Sequence, residues 1–146
     1  GGGMPLGALV ASKELMDKWQ NNPVLGHITT FGGHPVCCAA ALASLNILTS
    51  EEYLGLVNQK SAIFVNALSG HKLVKEIRAE GLLIAVELIS EDYAFRILPE
   101  LIKNGILSDW FLFFPAAFRI APPLTISFEE IDYAIDRIIK ALDSIT

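Results

Sequence analysis

A glycine-rich loop that runs directly into a long apolar segment is the feature that most constrains the fold of this 146-residue chain. The loop spans residues 29–35 and has the sequence TTFGGHP. Pro35 suits the first turn of a helix, where its missing N–H is not needed. Residues 35–48 are apolar on most sides, so we expect a helix that is buried from several directions and needs neighbours beyond this chain. Free N–H groups at its start, beside the Thr30 hydroxyl, favour an anion such as phosphate, although Thr30 could equally be a local turn residue.

The rest of the chain alternates between helix and strand patterns. A short strand is expected at 9–11, and Ser12 can cap a helix over 13–20. A second long helix is expected at 51–68, followed by strands at 74–78 and 82–88 with a turn near 79–81. The pattern next predicts a helix at 91–103, which Pro99 could kink or break, and strands at 106–114 and 118–121. A capping box at residues 127–130 begins the last helix. This order predicts an α+β fold, with helices packed on a mostly antiparallel sheet.

Composition excludes several classes of function. The chain has a net charge of −5 and no basic stripe, which argues against nucleic-acid binding. No apolar stretch is long enough to span a bilayer. Cys37 and Cys38 are adjacent and are the only cysteines, so a disulfide framework is excluded and a reducing cytoplasm is expected. His27 and His71 are far apart in sequence, and no metal site is predicted.

Three motifs in order along the chain carry a resemblance to a known family. They are GGGMPLGA at residues 1–8, TTFGGHP at 29–35 and RIAPPLT at 119–125. Together they resemble the C-terminal third of class III pyridoxal-phosphate-dependent aminotransferases, the group of the acetylornithine, ornithine and 4-aminobutyrate enzymes. The resemblance implies that residues 50–146 form the C-terminal small domain of fold type I. Residues 1–49 would be a remnant of the large cofactor-binding domain with a connecting helix.

The resemblance also implies an activity. The parent protein would be a homodimer that uses pyridoxal 5'-phosphate to transfer an amino group from an ω-amino donor to a 2-oxo acid such as 2-oxoglutarate. In the family, the lysine that binds the cofactor covalently lies three residues before the glycine triplet. We therefore expect this chain to be an inactive fragment with no catalytic residue of its own and no bound cofactor.

Two residues receive roles from the resemblance. Thr30 corresponds to the threonine that binds the cofactor phosphate of the neighbouring subunit. Arg119 corresponds to an arginine that faces the active site and binds a substrate carboxylate or a glutamate from another part of the protein. The alternative for Arg119 is a structural ion pair, perhaps with Glu87, because a buried guanidinium needs an anionic partner. Glu87, Asp109 and Trp110 are otherwise interpreted as strand-end and surface residues.

Other interpretations stay open at this point. His34 stands where the family usually has asparagine; it is either a tolerated turn substitution or a charge near the phosphate. The parent could instead be a non-catalytic dimerisation or anion-binding module, or an aminomutase or decarboxylase on the same fold.

Overall fold

The structure, a computed structural model, describes residues 1–24, 26–50 and 53–146, apart from the side chain of Asn21. The chain divides into two compact units, Gly1–Glu52 and Tyr53–Thr146. The assignment of residues 1–49 to a large domain and 50–146 to a small domain stays a prediction. The expected start of the second long helix, at residue 51, lies outside the described residues.

The first unit contains two helices, α1 at Lys13–Asn21 and α2 at Pro35–Ser50. Both were expected, and the Ser12 cap is confirmed because the Leu15 N–H donates to the Ser12 hydroxyl oxygen at 3.4 Å. The strand expected at 9–11 is wrong, since these residues take no regular structure. A strand needs a neighbour for its backbone hydrogen bonds, and the described part of this unit holds no strand that could pair with it.

Helix α2 is not buried within the described chain. None of its residues is buried, and the side chains of Val36, Leu42, Leu45 and Ile47 are each more than half exposed. Burial of α2 from several directions was expected to need neighbours beyond this chain, and it stays a prediction. Among its described residues, the first unit offers α2 one other helix as a packing partner.

The second unit has the predicted α+β composition. Its elements in order are α3 at Tyr53–Leu68, β1 at Val74–Glu80, β2 at Leu83–Leu88, α4 at Glu91–Lys103, β3 at Trp110–Phe111, β4 at Phe114–Ile120 and α5 at Phe128–Ser144. The strands form one sheet in the order β1-β2-β4-β3, and all three pairings are antiparallel. The predicted α+β class with an antiparallel sheet is therefore confirmed.

One face of this sheet packs on the three helices and makes the core. Alternating residues of the central strands point into it, because side chains along a strand alternate between the two faces. The largest fully buried side chains are Phe64, Leu68, Ile84, Val86, Leu88, Ile97, Leu101, Phe118, Ile131, Ile138 and Leu142. The opposite face of the sheet carries Arg78, Ala85 and Arg119, which lie in register across β1, β2 and β4.

Two details of the prediction need correction. Helix α4 continues through Pro99, so the break does not occur, while a kink there stays a prediction. The long strand expected at 106–114 is instead a hairpin, since Phe111 pairs with Phe114 and leaves Leu112 and Phe113 as its tip. A continuous apolar run does not reveal where a chain reverses, because turn residues normally supply that signal.

The start of α5 is confirmed in detail. The Glu130 N–H donates to the Ser127 hydroxyl oxygen at 3.1 Å, and the Ser127 N–H donates to the Glu130 carboxylate at 2.8 Å. This reciprocal pair is a capping box. The bond from the Ser127 backbone also holds the pKa of Glu130 below its ordinary value. The capping box therefore sets where α5 begins.

Candidate active site

The glycine triplet at the start of the chain lies against helix α2. Gly2 has a φ of +64°, a backbone conformation that residues with a side chain rarely adopt. A Cβ at Gly2 would lie 2.5 Å from the carbonyl oxygen of Ala40 and 2.8 Å from the Cβ of Ser44. Only glycine allows the backbone to approach the helix this closely, so the first motif and α2 form one packed arrangement.

The second motif folds into two successive turns just before α2. The Gly32 N–H donates to the Thr29 carbonyl oxygen at 3.3 Å, and the His34 N–H donates to the Phe31 carbonyl oxygen at 3.2 Å. A Cβ at Gly32 would lie 2.4 Å from the Thr29 hydroxyl oxygen. The absence of a side chain at Gly32 therefore leaves room in the concave side of the loop.

His34 has a role that neither sequence interpretation included. Its Nδ1 accepts a hydrogen bond of 3.3 Å from the Val36 backbone N–H, in the first turn of α2. A side-chain acceptor at this position caps a helix start, as asparagine also does. The sequence signal was present, since His34 directly precedes the proline at which α2 begins. The hypothesis that it adds charge near a phosphate stays a prediction.

The first two motifs meet in an open cleft of about 390 Å³. It is lined by residues 5–7 and 29–33. Thr30 lies in this cleft with its side chain exposed, and its hydroxyl has no hydrogen-bond partner among the described residues. Within that same part of the chain, the backbone N–H groups of Thr30, Phe31 and Gly33 also have no acceptor. The cleft therefore presents several free donors near a helix N-terminus, a chemistry that suits an anion.

Arg119 lies on β4 between the buried residues Phe118 and Ile120, so alternation directs it to the open face of the sheet. Its side chain is 42% exposed, which corrects the expectation of a buried guanidinium. One Nη atom lies 4.0 Å from the Asp109 carboxylate, and the guanidinium carbon lies 5.7 Å from the centre of the Phe111 ring. With one loose ionic contact among the described residues, Arg119 retains donors for a ligand.

The ion pair considered between Arg119 and Glu87 does not form. Glu87 instead accepts a 2.7 Å hydrogen bond from Lys75 and a second from Arg78. It is buried, which also corrects its interpretation as a surface residue. The hydrogen bonds from Arg78 and Lys75 hold the pKa of Glu87 below its ordinary value. The register places Arg78 and Arg119 on either side of Ala85, two residues from Glu87, and of these two arginines it is Arg78 that bonds to Glu87.

The geometry can be compared with known proteins. Residues 1–142 match the family model of class-III aminotransferases. The chain belongs to the class-III aminotransferase family. That match spans both units and all three motifs, so the resemblance seen in the sequence is confirmed.

Solved structures agree with this class-III assignment. Ornithine aminotransferase from Toxoplasma gondii ME49 is 36% identical with a TM-score of 0.72, over 82% of this chain and 30% of that one. A second structure of the T. gondii enzyme, with partial occupancy of PLP at its active site, is 34% identical with a TM-score of 0.74, over 90% of this chain and 32% of that one. A thermostable omega transaminase from Pseudomonas jessenii is 28% identical with a TM-score of 0.77, over 90% of this chain and 32% of that one. The chain thus spans about a third of the length of these structures.

The class-III chain also contains a residue that the sequence interpretation set aside. Asp109, expected to be a surface residue at a strand end, lies beside Arg119 and accepts a 2.9 Å hydrogen bond from the Trp110 N–H. The nearby Trp110 ring packs edge-on against Phe95. An aspartate ten residues before an arginine suggests contact only if the intervening segment is known to be a hairpin.

Two other kinds of feature are absent from the described part of the chain. No group of three or more His, Cys, Asp or Glu side chains there is placed to hold a metal ion. None of the helices described is long and apolar enough to cross a membrane.

Proposed function

We propose that this chain contributes the phosphate-binding loop and a substrate-binding arginine to a pyridoxal-phosphate-dependent aminotransferase. The reaction would move an amino group from an ω-amino donor, of the acetylornithine, ornithine or 4-aminobutyrate type, to a 2-oxo acid such as 2-oxoglutarate. Family membership and the PLP-containing T. gondii enzyme support the cofactor. The observation that carries the proposal is the open cleft in which Thr30 and neighbouring backbone N–H groups lack partners.

Thr30 is the proposed phosphate ligand. Its hydroxyl and backbone N–H both act as donors, and the start of α2 adds the favourable field of a helix N-terminus. The residues fit the group, because a side chain at Gly32 would occupy the loop beside the Thr29 hydroxyl, 2.4 Å from its oxygen. His34 and Gly2 contribute indirectly, the first by capping α2 and the second by fitting the first motif against it.

Arg119 is the proposed ligand of the substrate carboxylate. Its planar guanidinium can hold a carboxylate through two parallel hydrogen bonds. Phe111 lies beside it and stabilises the cation through its ring face. Pyridoxal phosphate, when bound, supplies the electron sink that lets the substrate carbon lose its proton. Arg119 would hold the substrate by the end that does not react.

A homodimer is part of the proposal. Thr30 would then bind the cofactor of the partner subunit, across the interface. The exposed apolar residues of α2 support this arrangement, since surfaces of this kind mark interaction sites.

Substitution of Thr30 tests the proposal in the full-length protein. A hydrogen bond to a charged group contributes about 1.5–3 kcal/mol, so Thr30→Ala should weaken cofactor affinity by about 10- to 100-fold. Thr49→Ala is the matched control, because its hydroxyl bonds only to carbonyl oxygens of α2. Cofactor affinity is measured by titrating the visible absorbance of the bound cofactor. Equal affinity in the wild type and Thr30→Ala would remove Thr30 from the site.

The donor is identified by a half-reaction. The cofactor-loaded full-length protein is mixed with each ω-amino donor in turn, and the spectral change of the cofactor is followed. We expect a rapid change with at least one of the three donor types. No change with any of them would contradict the proposed reaction.

A further inference from the structure

Arg119 and Asp109 present opposite charges side by side on the open face of the second unit. The Asp109 Oδ2 lies 4.0 Å from an Arg119 Nη atom, and the side chains are 58% and 42% exposed. Both line one shallow cavity of about 410 Å³, together with Leu107, Ser108 and Ala121. The two charges are near enough to act on one ligand and loosely enough paired to admit it.

The backbone holds this pair in place. The Arg119 N–H donates to the Asp109 carbonyl oxygen at 2.8 Å, and the Ser108 hydroxyl donates to the Arg119 carbonyl oxygen at 2.6 Å. The Trp110 N–H binds Asp109 Oδ1 at 2.9 Å, which orients the carboxylate. Because one oxygen is used in this way, Oδ2 is the atom that remains for a ligand.

We propose that Asp109 and Arg119 together bind the zwitterionic head of an α-amino acid. The carboxylate of the head would lie on Arg119, and its ammonium group would lie on Asp109 Oδ2. This inference rests on the proposed function, in which Arg119 binds a substrate carboxylate. It narrows the donor to an ω-amino acid with a free α-ammonium group. Acetylornithine, whose α-amine is acylated, and 4-aminobutyrate, which has none, lack that group.

A simpler role for Asp109 predicts a different result. If Asp109 only neutralises Arg119, its removal strengthens the binding of every carboxylate by the same factor. If it binds the ammonium group, its removal abolishes the preference for ligands that carry one. The ratio of two dissociation constants therefore separates the two roles.

The test uses 2-aminobutyrate and butyrate, which differ only in the α-ammonium group. Binding to the 146-residue chain is followed at low ionic strength by NMR, through the indole N–H of Trp110. An exposed charge pair contributes about 0.2–1 kcal/mol, so the wild type should prefer 2-aminobutyrate by about 1.5- to 5-fold. In Asp109→Asn the preference should vanish, because asparagine keeps an acceptor for the Trp110 N–H but has no charge.

Two further variants complete the design. Asp136→Asn makes the same change of charge in an exposed pair with Lys140 on α5, outside the cavity, and it should keep the wild-type ratio. Arg119→Gln should weaken both ligands. If butyrate binds Arg119→Gln as well as the wild type, or if neither ligand binds the wild type, the carboxylate role of Arg119 fails. Two results overturn only the zwitterion inference, provided that Arg119→Gln weakens binding. The first is that Asp109→Asn keeps the preference for 2-aminobutyrate, and the second is that the wild type shows no such preference.

Discussion

Phe118 allows the packing that directs Arg119 outward to be tested quantitatively. Its side chain is fully buried in the core, whereas Phe113, on the hairpin tip of the same strand pair, is 93% exposed. Phe→Ala in a core costs about 3–5 kcal/mol, while a surface substitution changes stability by less than about 0.5 kcal/mol. Domains of this size have a total stability of about 5–15 kcal/mol. Phe118→Ala should therefore remove about a fifth or more of the stability of the second unit, and Phe113→Ala almost none.

Urea unfolding measures the difference in the 146-residue chain. The chain has two tryptophans, Trp19 and Trp110. In a Trp19→Phe background, fluorescence reports only Trp110, which lies opposite Phe118 in the sheet. With an m-value of about 1.5 kcal/mol/M, Phe118→Ala should lower the unfolding midpoint by about 2–3 M. Equal losses in the two variants, or a larger loss in Phe113→Ala, would refute the burial of Phe118 in the core and with it the outward direction of Arg119.

Three other substitutions test local features. Glu87→Gln should make the free energy of unfolding less dependent on pH, because the pKa of Glu87 is lowered in the folded state. The stability that the Glu87 carboxylate contributes is present above the ordinary glutamate pKa of about 4.3, and it is lost as pH falls through the pKa of the folded state. The slope of stability against pH below that point should be shallower in the variant, and an unchanged slope would contradict the buried pairing. Ser127→Ala should cost about 1 kcal/mol in urea unfolding through loss of the α5 cap, whereas Ser144→Ala in the last turn should cost less than about 0.5 kcal/mol; equal costs would argue against the capping box. His34→Ala should weaken cofactor retention in the full-length protein, and His34→Asn should retain it, because asparagine can also cap α2; identical retention in all three proteins would mean that the cap does not support the loop.

Local signals in the sequence were sufficient for most elements of the fold. Ser12 and the Ser127–Glu130 pair mark helix starts through their own hydrogen bonds, so their positions were predictable. The hairpin tip at Leu112 and Phe113 was not, because it contains no glycine, proline or asparagine. The strand expected at 9–11 failed for a different reason: local pattern does not show whether a pairing partner exists.

The candidate site was also predictable only in part. The cleft around Thr30 follows from two glycine motifs, and the sequence identified both before the structure brought them together. The partners of Arg119 depend on strand register, which sequence pattern does not define. For that reason Glu87 was considered as its partner, and Asp109, across the hairpin, was not.

The hydrogen bond between the Arg119 N–H and the Asp109 carbonyl closes the hairpin below its tip. Leu112 and Phe113 lie beyond this closure and make the turn between paired residues. Exchanging or lengthening those two residues would leave the spacing between the aspartate and arginine backbones unchanged. The hairpin tip can therefore be redesigned separately from the charged pair at its base.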